Sequence, residues 1–298
     1  MAGPNRVGRC LGQYRVGMNE PRARSVIFDI LGDCRRVGAD EIRLKVLVQL
    51  GAMVGIAAEN TRVLVARMRE EGWFEVRREG RESIYSLTPK TLRVIEEGRQ
   101  RIFRAEPSTW DGSWSLVIYS VPETDRPTRE RLRRDLSWMG FGSLAPATWV
   151  SPFQLLDRVA DLGATLPNAK LDLLTMRSSG LAADRSIVER CWELDALNEE
   201  YAAFIRTLRL RTMATRGSNG DKEEAFSQRI GLVHEYRRFP YRDPGLPPDL
   251  QPPGWLGDQA RQLFIDAHEV LAEGAAQHYA ELGVIPSTRR VTTARSPS

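Results

Sequence analysis

The chain has 298 residues, 42% hydrophobic and 28% charged, which suits a soluble globular protein of two or three domains and excludes a low-complexity or collagen-like chain. Its net charge is only +4, but residues 1–105 hold 20 Lys and Arg against 13 Asp and Glu, while residues 106–298 hold 23 against 26. A basic first third on a slightly acidic body suits a DNA-binding head on a regulatory trunk.

In chain order, residues 1–20 read as a disordered arm. A basic module follows over 21–105. Its first helix begins near Pro21, with Ile27, Ile30 and Leu31 on the apolar face. A second carries Leu44, Leu47 and Val48, and the GAMVGI run, with Gly51 and Gly55, supplies a turn. The next helix places Thr61, Leu64, Val65 and Met68 at i, i+3, i+4 and i+7, one apolar stripe. Its opposite face carries Arg62, Val63, Ala66 and Arg67. Small side chains there permit close approach to a groove, and arginine can donate two hydrogen bonds to guanine O6 and N7. Asn60 at the helix start, with Arg62 and Arg67, is expected to meet bases or adjacent phosphates. Gly72 ends the helix. Trp73, Phe74 and Val76 start a strand, Ile84, Tyr85 and Leu87 make the return, and Arg78-Glu79-Gly80-Arg81 forms the turn between them. Arg77, Arg78 and Arg81 crowd the tip, where phosphates or a minor groove could meet them. Thr88 and Pro89 then start a connector helix over 89–104. The whole reads as a winged helix-turn-helix whose partner is double-stranded DNA. The plain alternative is a surface helix and hairpin with solvated arginines, because Glu59, Glu70, Glu71, Glu75 and Glu79 dilute the charge.

The trunk opens with a strand over Trp114–Val121 and a helix over Pro127–Met139, with Leu132, Leu136 and Met139 inward. A hairpin over Gly142–Val150 turns near Ala145-Pro146. A helix over Phe153–Leu162 carries Phe153, Leu156, Val159 and Ala160, and a strand covers Lys170–Met176. The order β-α-β-β-α-β over 106–182 is the ferredoxin-like pattern. From Ala183 the period turns helical again, through Ile187, Cys191, Leu194, Leu197, Tyr201, Phe204 and Ile205. A loop over Arg216–Glu224, a helix around Phe226–Phe239, a proline-rich run from Tyr241 and a last helix over Asp258–Leu282 follow. That last helix carries Leu263, Phe264, Ala267, Val270 and Leu271. A helical regulatory domain over 183–286 and a disordered tail over 287–298 complete an α+β chain.

Cys10, Cys34 and Cys191 form no CxxC pair, which argues for a reducing compartment and against a disulfide framework or zinc site. No run approaches the ~18 apolar residues of a membrane span, and no secretory leader opens the chain, so no membrane partner and a cytoplasmic location are expected. His234-Glu235 lacks the second histidine of a metalloprotease helix, because Arg238 stands there, and neither a P-loop nor GxGxxG occurs. No catalytic residue and no metal site are expected. Trp110, Trp114, Trp138 and Trp149 read as core and dimer-interface residues.

Three blocks carry a family resemblance over about residues 21 to 282. They are REEGWFEVRREGRESIYSLTPKT, the pair WDGSWSLVIYSVPE and RERLRRDLSWMGFGSLAPATWVSP, and LVHEYRRFPYRDPGLPPDLQPPGWLG. The chain resembles the PaaX family of bacterial transcriptional regulators. The resemblance implies an N-terminal winged helix, a central dimerising ferredoxin-like domain and a C-terminal helical domain. It implies a homodimeric repressor on an inverted-repeat operator, released by an aryl-CoA thioester such as phenylacetyl-CoA. A non-CoA inducer, an aromatic acid or a flavin, is the alternative; no cofactor is implied. The central domain also resembles the small nuclease-like subunit of the CRISPR spacer-acquisition complex. That family carries an Asp at the end of its first strand to hold a metal. Ser120 stands at the matching position and is a poor ligand, while Asp125 is placed to cap the next helix. A dimerisation scaffold is expected, with a metal-dependent nuclease as the rival.

For a CoA-like inducer, Tyr236, Arg237, Arg238, Tyr241, Arg242 and Trp255 supply guanidiniums for phosphates and rings for adenine or an aryl group. The competing expectation is that Arg237 and Arg238 pair with Glu235 and Asp243 to pin the proline-rich loop.

Overall fold

The computed structural model describes residues 20–103, 109–215 and 221–284. The expected arm up to residue 19, Arg104 of the connector, residues 216–220 of the expected loop and the tail from 287 lie outside them. The chain packs as two units, one of residues 1–103, 216–235 and 265–298, the other of residues 104–215 and 236–264. The segment 183–286 is therefore shared between the two. No helix among the described residues is long and apolar enough to cross a membrane.

The first unit begins with α1 (Glu20–Arg36), β1 (Glu41–Arg43), α2 (Leu44–Met53), α3 (Ala58–Glu70), β2 (Phe74–Glu79), β3 (Glu82–Leu87) and α4 (Pro89–Ile102). The apolar stripes read from the sequence meet in one core. Ile27, Ile30 and Leu31 of α1, Leu47 and Leu50 of α2, and Leu64, Val65 and Met68 of α3 are buried there. The sheet runs β1-β3-β2, antiparallel throughout, with Phe74 opposite Leu87 and Val76 opposite Tyr85. β1 has three residues, too few for a period-2 signal, and was not expected. Gly51 differs from its expected role. It lies inside α2, where an added Cβ would come within 2.8 Å of Thr61 Oγ1, so it permits close packing of α2 on α3. The turn itself belongs to Gly55, whose φ is 89°. Thr88 caps α4, accepting from Thr91 N at 3.4 Å, with Pro89 in the first turn.

The second unit holds β4 (Trp114–Ser120), α5 (Arg126–Trp138), β5 (Gly142–Ala145), β6 (Thr148–Ser151), α6 (Leu156–Ala164), β7 (Lys170–Met176), α7 (Leu181–Cys191) and α8 (Leu194–Thr215). Its four strands lie in the order β5-β6-β4-β7, all antiparallel. Val117 and Tyr119 of β4, Trp149 of β6 and Leu171 and Leu173 of β7 pack with Leu132 and Leu136 of α5 and Val159 of α6. The alternate residues Leu116, Ile118 and Leu174 share the other face, and there Ile118 is 38% and Leu174 45% exposed. Asp125 caps α5, accepting from Thr128 N at 3.2 Å. α6 starts later than expected because Phe153–Leu155 is tied to β4 instead: Ser115 Oγ donates to Phe153 O and accepts from Leu155 N. Among the tryptophans, Trp114 and Trp149 are buried but Trp138 is 42% exposed.

The chain then forms α9 (Lys222–Tyr236), a 3-10 turn at Pro248–Leu250, α10 (Gly257–Val270) and α11 (Ala272–Glu281). The single helix expected over 258–282 breaks at Leu271. The buried stripe of α10 is Gly257, Ala260, Phe264 and His268, and Val270, read as an inward residue, lies two positions past it on the other side and is 81% exposed. Phe226, Ile230, Ala275, Tyr279 and Val284 complete the core of the first unit. A buried polar group joins them to α1. Arg229 Nε donates to Asp33 Oδ1 at 2.8 Å and its Nη1 donates to the His268 carbonyl. Tyr279 Oη donates to Asp33 Oδ2 at 3.0 Å, and His234 Nδ1 lies 2.9 Å from Asp29 Oδ2.

Candidate nucleic-acid interface

The buried stripe of α3 fixes which residues face outward. Asn60, Arg62, Val63 and Arg67 are exposed and Ala66 is half-buried, so the structure brings the five expected helix residues to one outer face. Arg62 makes only a 3.3 Å ion pair with Glu59, one turn back, and its side chain is 51% exposed. An exposed pair of this kind contributes ~0–1 kcal/mol and yields readily to a phosphate. The helix N-terminus adds a feature the sequence reading missed. Its N-cap is Ala57, with no side-chain cap, so first-turn N–H groups remain available to an anion. The signal was legible: alanine stands where Ser, Thr, Asp or Asn is the usual cap.

The hairpin is tighter than expected. β2 and β3 pair as far as Glu79 and Glu82, so the turn is only Gly80-Arg81, with Gly80 at φ 60°. The three expected tip cations divide. Arg77 shares a sheet face with Glu41 and Glu79 and bonds each at 2.9 Å, and these hydrogen bonds, Glu41 first, raise its pKa. Arg78, opposite Ser83, shares the other face with Val76, and Arg81 sits in the turn. Both are exposed, and neither has a carboxylate partner among the described residues.

The junction of α3 with the hairpin was also not foreseen. Arg24 pairs with Glu71, and Trp73 Nε1 donates to the same carboxylate at 2.9 Å. Lys90 Nζ lies 3.8 Å from the centroid of the Trp73 ring and donates to the Glu71 carbonyl. Hydrogen bonds from Arg24 and then Trp73 hold the Glu71 carboxyl down at about 2. This cluster fixes the end of α3 against the strand that follows it. Its partners are 47 residues apart in sequence, beyond the reach of periodicity.

The second expected site, in the other unit, resolves into two layers. Tyr236 is buried and stacks on Phe264 at 4.0 Å and 9°. Trp255 meets Tyr201 edge-on at 5.5 Å, and Tyr201 stacks on Phe239. Outside these rings, Arg242 pairs with Glu200 at 2.6 Å and Arg238 approaches the same carboxylate at 3.9 Å. Arg237 is half-buried and Tyr241 is 46% exposed. The anticipated pinning acid for Arg238 was Glu235 or Asp243, but Glu200 of α8 takes that part. Asp243 accepts from Tyr201 Oη at 2.7 Å and from Gly245 N at 2.6 Å.

Comparison with known proteins covers nearly the whole chain. Residues 22–91 match the family model described as PaaX-like protein, residues 107–188 the PaaX protein central Cas2-like domain, and residues 192–281 the PaaX-like protein C-terminal domain. The transcriptional repressor PaaX of Escherichia coli (strain K12) is 34% identical over 281 residues, 91% of this chain and 87% of that protein. Among solved structures, the uncharacterized protein Rv0674 from Mycobacterium tuberculosis aligns with a TM-score of 0.57 and 25% identity, over 86% of this chain and 98% of that one.

Proposed function

The chain belongs to the PaaX family, and on that premise we propose that it is a homodimeric, sequence-specific DNA-binding repressor that a small-molecule inducer releases from its operator. One observation carries the reading: the outer face of α3 presents Asn60, Arg62, Val63, Ala66 and Arg67, and the hairpin after it ends in Arg78 and Arg81, cations with no carboxylate partner among the described residues. Small residues between long donors suit a helix entering the major groove. The first unit is then a winged helix-turn-helix: α2 and α3 supply the helix pair, and β2 and β3 the wing. Arg62 and Arg67 read bases or adjacent phosphates, while Arg78 and Arg81 hold the backbone. Arg77 orders the wing through Glu41 and Glu79 and reaches DNA by exchanging those partners.

The order β5-β6-β4-β7 is the one a ferredoxin-like βαββαβ domain produces. On its other face Trp114, Leu116 and Val150 pack under α7, and the part left exposed, at Ile118 and Leu174, supports dimerisation by a second copy. A two-fold dimer reads an inverted repeat with half-sites ~34–36 Å apart or a multiple of that. No catalysis is proposed. Where a nuclease of this fold would hold its metal, Ser120 is flanked by Arg129, Arg133 and Ser143, a donor set that disfavours a divalent cation. The protein acts in the cytoplasm. The inducer class is an aryl-CoA thioester, with a free aromatic acid or flavin as the competitor. Arg237, Arg238, Tyr241 and Arg242, on the outside of the Tyr236–Trp255 aromatic cluster, are its proposed contacts, an anion displacing Glu200. It acts only through its difference in affinity between operator-competent and released states.

The test is a gel shift on the promoter upstream of the protein's own gene, titrated with acyl-CoA thioesters, phenylacetate and flavin. A retarded band that one of these removes is expected. Arg62→Ala is expected to cost ~1–3 kcal/mol of specific affinity and relax one operator position. An Arg62→Ala footprint and affinity equal to the parent's would reject the assignment of α3.

A further inference from the structure

A second part of the four-stranded unit has the chemistry of a ligand site. α5 carries five arginines. Arg126 pairs with Glu130, and Arg131 and Arg134 both approach Asp135. The other two, Arg129 and Arg133, lie four residues apart on one helix face, and neither has a carboxylate partner among the described residues. Among the described residues Arg129 donates only to the Pro122 carbonyl, at 3.4 Å.

These two guanidiniums border a cavity of about 690 Å³, whose opposite wall is the β5–β6 hairpin from Ser143 to Ala147. Tyr119 and Trp149 also line it. Both are more than nine-tenths buried, and neither the Tyr119 hydroxyl nor the Trp149 indole N–H has a hydrogen-bond partner among the described residues. Neither atom is sealed from solvent, so both donors open onto the cavity, where an acceptor on a ligand can reach them. Ser120 and Ser143 add hydroxyls, Pro146 and Ala147 add apolar surface, and no lining residue is acidic. By strand parity Tyr119, Ser143 and Trp149 lie on the side of the sheet that carries α5 and α6, opposite Ile118 and Leu174.

We propose that this cavity binds a small phosphate-bearing anion. Arg129 and Arg133 grip the phosphate oxygens, the Tyr119 hydroxyl and Trp149 N–H supply fixed donors, and Trp149 with Pro146 offers a flat apolar wall to an attached ring. Paired guanidiniums suit phosphate because each can donate two parallel hydrogen bonds. The site stands on this geometry and does not require the repressor reading; only its use as an effector site would rest on that.

The experiment titrates the full-length protein, without DNA, with pyrophosphate and with ADP by calorimetry. Saturable binding of either is expected, weakened at least about tenfold in the double variant Arg129→Gln/Arg133→Gln, the loss expected when charge-assisted hydrogen bonds are removed. The double variant Arg126→Gln/Arg134→Gln removes the same charge from the same helix and is expected to bind like the parent. Arg133→Gln alone, at an exposed position, keeps the test open if the first variant melts early. Absence of saturable binding by both probes, or equal weakening in the two double variants, overturns the proposal. Because no operator is present, failure here leaves the DNA-binding reading standing, and a failed gel shift leaves this site standing.

Discussion

Two arginine clusters in this chain use the same chemistry in opposite surroundings. In the first unit Arg229, 2% exposed, is enclosed with Asp33, the His268 carbonyl and Tyr279. In the second, Arg238 and Arg242 lean on Glu200 in partial contact with water. The enclosed group holds its members to one arrangement, because any of them left alone faces an apolar surrounding. The exposed group can be taken apart at little cost, as a surface that exchanges partners must be.

The comparison predicts a graded set of outcomes. The largest is for Arg229→Met, which strands the Asp33 carboxylate inside the first unit. A loss of ~3–5 kcal/mol in chemical denaturation is expected. A loss under ~1 kcal/mol, the range of surface pairs, would erase the contrast.

Next is a dependence on acid. Burial, followed by the nearby Arg229 and Arg36 charges, pushes His268 from 6.5 down to about 2. The unfolded chain therefore takes a proton below about pH 6.5 that the folded one refuses. Stability is full above that pH and falls as pH drops from 6.5 toward 2, by up to ~1.4 kcal/mol per unit. Replacing His268 with glutamine flattens this limb in a melting series; an unchanged limb would place the acid sensitivity elsewhere.

A smaller effect is expected from Gly51→Ala, whose Cβ meets Thr61 Oγ1 at 2.8 Å. Overpacking at that contact costs ~1–3 kcal/mol, and because Thr61 belongs to α3, operator affinity should fall with stability. Stability lost with affinity intact would separate the α2–α3 contact from DNA reading. The smallest is Arg242→Ala, expected to change stability by ~0–1 kcal/mol.

The sequence showed these regions unequally. Stripes such as Thr61, Leu64, Val65 and Met68 were legible because helical period and burial share one cause. The outward arginines followed from the same phase. The Glu200 partnership was not legible, since Arg242 had nearer acids, and folding chose one 42 residues away. Nor was the Asp33–Arg229 pair, because nothing local marks which of many arginines will be enclosed. The anion cavity stayed hidden for a related reason. Five arginines on α5 look alike in sequence, and only the partners of three reveal the two left over. The break at Leu271 escaped because no glycine or proline marks it and Leu271 itself stays in the right-handed helical region, at φ −82° and ψ −6°.

The enclosed pair also bears on how the protein is made. Asp33 and Arg229 are separated by 196 residues, and Phe226, Tyr279 and Val284 finish a core that α1 begins. At ~5–20 residues per second, a ribosome needs about 10–40 s after Asp33 to deliver Arg229. Through that interval the residues that complete the core of α1 and partner Asp33 are still to come. A chain that ends before α9 lacks Phe226, Ile230, Ala275, Tyr279 and Val284 of that core, so the first unit is expected to need the C-terminal helices to reach full stability.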